Sequence, residues 1–348
     1  MSGKERFGLG GTAAITAIAG VLRYSDASAV AAFVVAALAL AGLAWLVSLA
    51  TEQVGMRFGP EVSGLAQASV GNLPELFVVI FALSAGELLV AQSSLVGSIV
   101  ANALLVQGLV IVTGTAVAKD GVMRFRRRLP QDAATLGMVA LSVIVLVGLA
   151  ISSRGSVGDH VHGLSIVGAV CLLTVYAFWI WGYLRSGLAP PLEGEARLPL
   201  GLAVGLLVAG GVGAGFTSEW FIDALDPAVD SLGISKAFAG LVIAGIAGNA
   251  VEHFTSILFA VRHESDLAIS IVKNSASQIA AFLFPLLVLV SIPFATSLTF
   301  SLPSVYIGAL FITALISWQI TGDGEARVFE GVALVAIYVV LAAFTLYD

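Results

Sequence analysis

The chain reads as an all-α polytopic membrane protein, and three observations predict that class. Of its 348 residues, 59% are hydrophobic and 11% charged, against roughly 25% charged and about 45–50% apolar in a soluble domain. Its mean hydropathy is +1.02, so the polar residues left over could not cover a globule in water, and an ordinary soluble enzyme is excluded. The apolar residues also fall in runs close to the ~20 residues a spanning helix needs. Barrel strands would instead alternate over ~10 residues.

The runs lie at roughly 7–22, 28–50, 62–85, 91–117, 133–151, 161–184, 198–217, 237–260, 267–292, 302–320 and 329–347, which predicts about eleven transmembrane helices. The first is short and follows Lys4 and Arg6. Ala-Ser-Ala at 27–29 resembles a signal-peptidase site, but an uncleaved helix is the favoured reading. The second ends near Glu52 and the seventh near Glu219. The third and eighth carry Asn and Glu within apolar sequence, as "GNLPEL" from Gly71 and "GNAVEH" from Gly248. The fourth and ninth carry polar stripes: Ser94, Ser98 and Asn102, then Ser270, Asn274, Ser277 and Gln278. Such hydroxyl and amide residues commonly join membrane helices to one another.

Orientation follows from Lys and Arg, which favour cytoplasmic loops. The strongest cluster is Lys119, Arg124, Arg126, Arg127 and Arg128, between the fourth and fifth helices. Placing it inside also puts Lys4, Arg6, Arg57, Arg185, Arg197, Arg262 and Arg327 inside, and leaves Arg23, Arg154 and Lys236 outside. The N-terminus is then cytoplasmic, and the acidic segment 219–230 lies at or beyond the outer face.

Gly71, Asn72, Glu75, Glu87 and Ser98 stand 177 residues before Gly248, Asn249, Glu252, Glu264 and Ser275. By the charge count the third and eighth helices run in opposite directions. Helices 2–6 and 7–11 therefore read as an inverted-topology repeat. The divisions are an N-terminal segment at 1–27, a first repeat at 28–184, a cytoplasmic linker at 185–197 and a second repeat at 198–348. Inverted repeats mark secondary transporters, with the site near the midplane at the repeat interface.

A carboxylate in hydrocarbon is expensive, at ~2.5–3.5 kcal/mol for Asp on insertion scales. Related by the pseudo-twofold, Glu75 and Glu252 would face each other. Empty, such a pair retains at least one proton; a divalent cation removes the repulsion. Calcium takes oxygen ligands from carboxylates, carbonyls and waters, and two Glu suit it better than zinc, which would want His or Cys. Pro74 has no N–H, so the carbonyl of Val70 loses its helical partner and becomes a further cation ligand. The second copy has Val251 at the matching position.

These residues resemble the paired repeats of the calcium/cation antiporter superfamily, and Gly-Asn-x-x-Glu in both halves is most similar to its calcium/proton exchanger (CAX) branch. The resemblance covers essentially the whole chain. It implies exchange of calcium, or other cations, for protons by alternating access, with a sliding pair formed by the second and seventh helices. It implies ion-binding acids at Glu75 and Glu252, motif asparagines at Asn72 and Asn249, and motif glutamines at Gln92 and Gln278. Ser98, Asn102, Ser275 and His253 are expected around them or along the pathway, and Glu52 and Glu219 are vestibule candidates whose favoured reading is surface solvation. Calcium and protons are cargo, so no cofactor is expected. The expected surroundings are lipid, in the plasma (inner) membrane if the source is prokaryotic, and a homo-oligomer is left open.

One departure stands out. Lys273 occupies a position usually apolar in the family; its favoured reading is a side chain that snorkels to the cytoplasmic end of its helix, its rival a modulator of the site. Other readings are sodium/calcium or monovalent cation exchange by the same fold and, more remotely, a channel or an intramembrane enzyme. No HExxH or G-x-S-x-G occurs, and the histidines are His160, His162, His253 and His263. The lone Cys171 excludes internal disulfides. The net charge of −6 and the lack of a basic patch with interleaved aromatics give no sign of a nucleic-acid partner.

Overall fold

A computed structural model describes residues 3–25, 27–58, 72–126, 128–152, 160–186 and 196–347. The chain forms α1 (Gly3–Arg23), α2 (Ala29–Phe58), α3 (Leu73–Ser84), α4 (Leu88–Val117), β1 (Val122–Arg124), α5 (Arg128–Ser152) and α6 (Val161–Ser186). There follow α7 (Leu200–Leu232), α8 (Lys236–Gly248), α9 (Ala250–Val261), α10 (Ser265–Val290), α11 (Ser304–Thr321), β2 (Glu325–Arg327) and α12 (Val328–Leu346). Among the described residues eight helices are long and apolar enough to cross a membrane, and the α8–α9 pair, bent by 60°, makes a ninth if counted as one span. The chain is a multi-pass integral membrane protein. Large apolar side chains such as Phe178, Val208, Phe216 and Phe254 are exposed on its outside, as lipid contact requires.

Several expectations are corrected. Of the predicted third span, 62–71 lie outside the described residues and the rest is α3. The predicted eighth span is broken at Asn249. The acidic segment 219–230 is helical: α7 continues through it for 33 residues and ends at Gly233, whose φ of 63° lies in the left-handed region. At 1.5 Å per residue α7 is about 50 Å long, beyond the ~30 Å hydrocarbon core. Its acidic end is held by cations, with Asp223 bound to Arg23 at 2.6 Å and Asp226 to Lys236 at 2.7 Å.

α4 is the buried centre of the bundle. It crosses α8 backbone to backbone, for a Cβ on Gly245 would lie 2.7 Å from the carbonyl carbon of Gly97. Small residues that let backbones meet drive packing where lipid supplies no hydrophobic contrast. α2 lies along α7, with Phe33 stacked on Phe221 at 4.6 Å, and α1 covers them. Single π-helical turns interrupt α4 at Ala101–Val106, α8 at Ala239–Ala244 and α10 at Ile279–Leu283. β1 and β2 pair antiparallel, Arg124 opposite Glu325. Arg124 also reaches Asp120 at 2.7 Å, and Arg126 reaches Asp266 at 3.4 Å.

Candidate functional site

Asn72 and Asn249 each stand at a helix start with non-helical backbone, at φ −94°, ψ 19° and φ −103°, ψ 15°. A helix begins directly after each Asn, with Leu76 N–H donating to Asn72 O and His253 N–H to Asn249 O, both at 3.0 Å. Glu75 and Glu252 consequently occupy the first turns of α3 and α9. The break at Asn249 divides the predicted eighth span, so Glu252 stands near the start of a helix and not within a continuous one. A helix N-terminus favours negative charge, by ~0.3–1 kcal/mol when exposed and up to ~2 when partly buried. Proline is not the common cause, since α9 begins at the same point without one. Val70, whose carbonyl was the expected ligand, lies outside the described residues, as does Gly71.

Glu75 is 5% exposed, and its Oε2 has no hydrogen-bond partner among the described residues. Its carboxyl packs on the break between α8 and α9, where a Cβ on Gly248 would lie 2.9 Å from the carboxyl carbon. Glu252, half-buried one turn beyond that break, is within electrostatic reach of Glu75. The two acids predicted from opposite halves are thus brought together.

Asn249 holds the break in place. Its Nδ2 donates to Ser98 Oγ at 2.9 Å and to the Gly245 carbonyl at 3.0 Å. Its Oδ1 accepts from Asn102 Nδ2 at 3.2 Å and Ser275 Oγ at 3.3 Å. Ser98 and Ser275, one from each half at the repeat offset, converge on this one side chain. Asn249 therefore has its amide fully committed to protein partners. Asn72, 6% exposed, has an Nδ2 without a partner among the described residues.

The remaining expected residues divide. His253 is buried beside the site on α9, and its Nε2 lacks a partner among the described residues. Gln92 is committed elsewhere, its Nε2 donating to the Ser301 carbonyl at 2.7 Å. Gln278 is half-buried where α10 enters its π turn. Glu52 and Glu219 are exposed on α2 and α7.

Lys273 does not snorkel. It is 4% exposed, and its Nζ donates to the Ser317 carbonyl at 2.9 Å and hydroxyl at 2.6 Å. Ser317 in turn donates to Gln107 Oε1 at 2.7 Å. The acceptors on α11 hold the ammonium inside, where a route to water was expected. Sequence reading missed Gln107, Thr313 and Ser317. Their counterparts at the 177-residue offset are Phe284, Leu136 and Ala140, so a search for matched polar positions passes over them.

Among the described residues no three His, Cys, Asp or Glu side chains gather as a metal centre. A helix pair broken inside a membrane bundle, with acids beside the break, is a feature common among secondary transporters. The chain belongs to the sodium/calcium exchanger protein family, whose sequence profile matches residues 28–184 and 202–347. It is 31% identical over 334 residues to a Ca(2+)/H(+) antiporter of Synechocystis sp., covering 89% of each chain. It is 34% identical over 330 residues to the vacuolar calcium ion transporter of Schizosaccharomyces pombe, covering 90% of this chain and 79% of that one. The solved structure of native YfkE matches with a TM-score of 0.81 at 26% identity, covering 98% of this chain and 99% of that one.

Proposed function

We propose that the chain is a secondary antiporter that exchanges calcium for protons by alternating access, with Glu75 and Glu252 binding either one calcium ion or protons. The observation that carries the reading is the buried Glu75 carboxylate, with Oε2 unpartnered and Glu252 close by. Both Glu75→Gln and Glu252→Gln are expected to abolish calcium uptake into everted vesicles under an imposed pH gradient; retained uptake in either contradicts the assignment.

Calcium would take the two carboxylates and fill its shell with backbone carbonyls and water. Protons would neutralise the same acids, so either cargo lets the carrier reorient and no second proton site is needed. Asn249 fixes the break that presents Glu252, and Ser98, Asn102 and Ser275 fix Asn249. The similarity to a Ca(2+)/H(+) antiporter supports protons as the counter-cargo. The family's description keeps sodium/calcium exchange as a second reading, and sodium-driven calcium release without a pH gradient would favour it.

The proposal includes eleven crossings, an inverted repeat and a cytoplasmic N-terminus. Polar contacts at helix ends support it by joining ends that alternation puts on one side. Arg197 meets Glu5, Arg57 meets the Leu198 carbonyl, and Arg126 meets Asp266. On the other side Arg23 meets Asp223, Lys236 meets Glu87, and Ser297 meets His162. The two matched ranges of the family profile support repeats at 28–184 and 198–348. In a prokaryote the membrane would be the plasma membrane.

A further inference from the structure

A cavity of about 50 Å³ lies among α4, α5, α10 and α11, lined by Lys273, Gln107, Thr313, Ser317, Ser277 and apolar side chains. It is unlike the rest of the core in what it offers. Lys273 donates to Ser317, and Ser317 donates to Gln107 Oε1, so the chain of donors ends with the Gln107 amide N–H groups. Gln107 is 0% exposed and Thr313 2%, yet Gln107 Nε2 and Thr313 Oγ1 have no partner among the described residues. A buried donor left unsatisfied costs ~1–3 kcal/mol. The ammonium has spent two of its three donors on Ser317, and no ion pair among the described residues includes it.

The missing chemistry is therefore an acceptor that carries negative charge. The volume suffices, since a water needs roughly 10–15 Å³ on this scale. Water would satisfy the donors, but an ammonium buried without a counter-ion tends to give up its proton, and an anion lets it stay charged. The first repeat has nothing equivalent: Val96 stands where Lys273 does, and Ala140 where Ser317 does. Lys273 and Ser317 thus have no polar counterparts in the first repeat, although Gln107 of the cavity comes from it.

The geometry points to a binding site for a small inorganic anion of halide size, held by Lys273 Nζ, Gln107 Nε2 and Thr313 Oγ1. The anion neutralises Lys273 and fastens α10 to α4 and α11. It is a structural ligand, not cargo, and the assignment does not depend on which cations are exchanged.

Bromide tests this in crystals of the full chain, through its anomalous scattering. Thermal unfolding of the detergent-solubilised protein in chloride against gluconate, at equal ionic strength, tests it in solution. The expected results are an anomalous peak in the cavity and a melting temperature that rises with chloride. Lys273→Met is expected to lose both. Thr313→Val keeps the charge and serves if Lys273→Met does not fold. It is expected to raise the half-saturating chloride concentration about tenfold, the loss of one hydrogen bond to a charged group. No bromide peak in the cavity overturns the proposal, as does chloride dependence unchanged by Thr313→Val.

Discussion

Glu75 of α3 lies against Gly248 of α8, so closely that a single methyl group on Gly248 would stand 2.9 Å from its carboxyl carbon. The helix break in the second half of the chain is thus the floor on which the acid of the first half rests. Gly248→Ala is expected to push that carboxyl aside while the fold persists, because overpacking typically costs ~1–3 kcal/mol. Calcium uptake should fall by about tenfold or more, at unchanged protein level in the membrane. Combining the change with Glu75→Asp, one methylene shorter, should restore part of the loss. Uptake at the parental level in Gly248→Ala would show that this contact does not position the acid.

Asn249 makes four hydrogen bonds from one buried amide. Asn249→Leu leaves several polar groups unpaired, each at ~1–3 kcal/mol, whereas Ser98→Ala and Ser275→Ala each remove one bond. Thermal unfolding in detergent should therefore rank Asn249→Leu well below the two alanine variants. Because both serines act on one side chain, the effect of the double variant should not equal the sum of the singles. Strict additivity would mean that Asn249 is not their common anchor.

The pH dependence of transport should come from the core and not from the β1–β2 ribbon. Hydrogen bonding to Arg124 holds the Asp120 carboxyl below its ordinary value of 3.8, and a backbone bond from Val122 lowers it further. A depressed carboxylate contributes stability above its unfolded value and loses it as pH falls through the folded one. The ribbon's pair is therefore intact throughout the neutral range and weakens only below about pH 4. Asp120→Asn should leave the pH profile of calcium uptake unmoved between roughly pH 5 and 8. A shifted profile would implicate the ribbon in proton coupling.

The helices were legible because hydrocarbon demands long apolar runs, and the acids because a charge inside such a run is costly enough to be noticed. The constant offset then paired Glu75 with Glu252 before any distance was known. Helix ends were less legible: α7 continues through an acidic stretch because Arg23 and Lys236, distant in sequence or set beyond its end, meet its carboxylates. The break at Asn249 was not legible, since no proline marks it. Lys273 was misread for a related reason. Snorkelling is a default for lysine near a helix end, and only the folded position of Ser317, 44 residues on, supplies buried acceptors. Polar groups without a repeat partner could be found only from the packing.

The central claim is that calcium and protons share one pair of acids, and calcium binding with simultaneous proton counting tests it most directly. Purified full-length protein in weak buffer should release protons as calcium binds, and its affinity should fall as pH is lowered. Glu75→Gln should neither bind calcium nor release protons when it is added. Calcium binding by the unaltered protein with no proton release, at any pH where the acids hold a proton, would contradict a shared site.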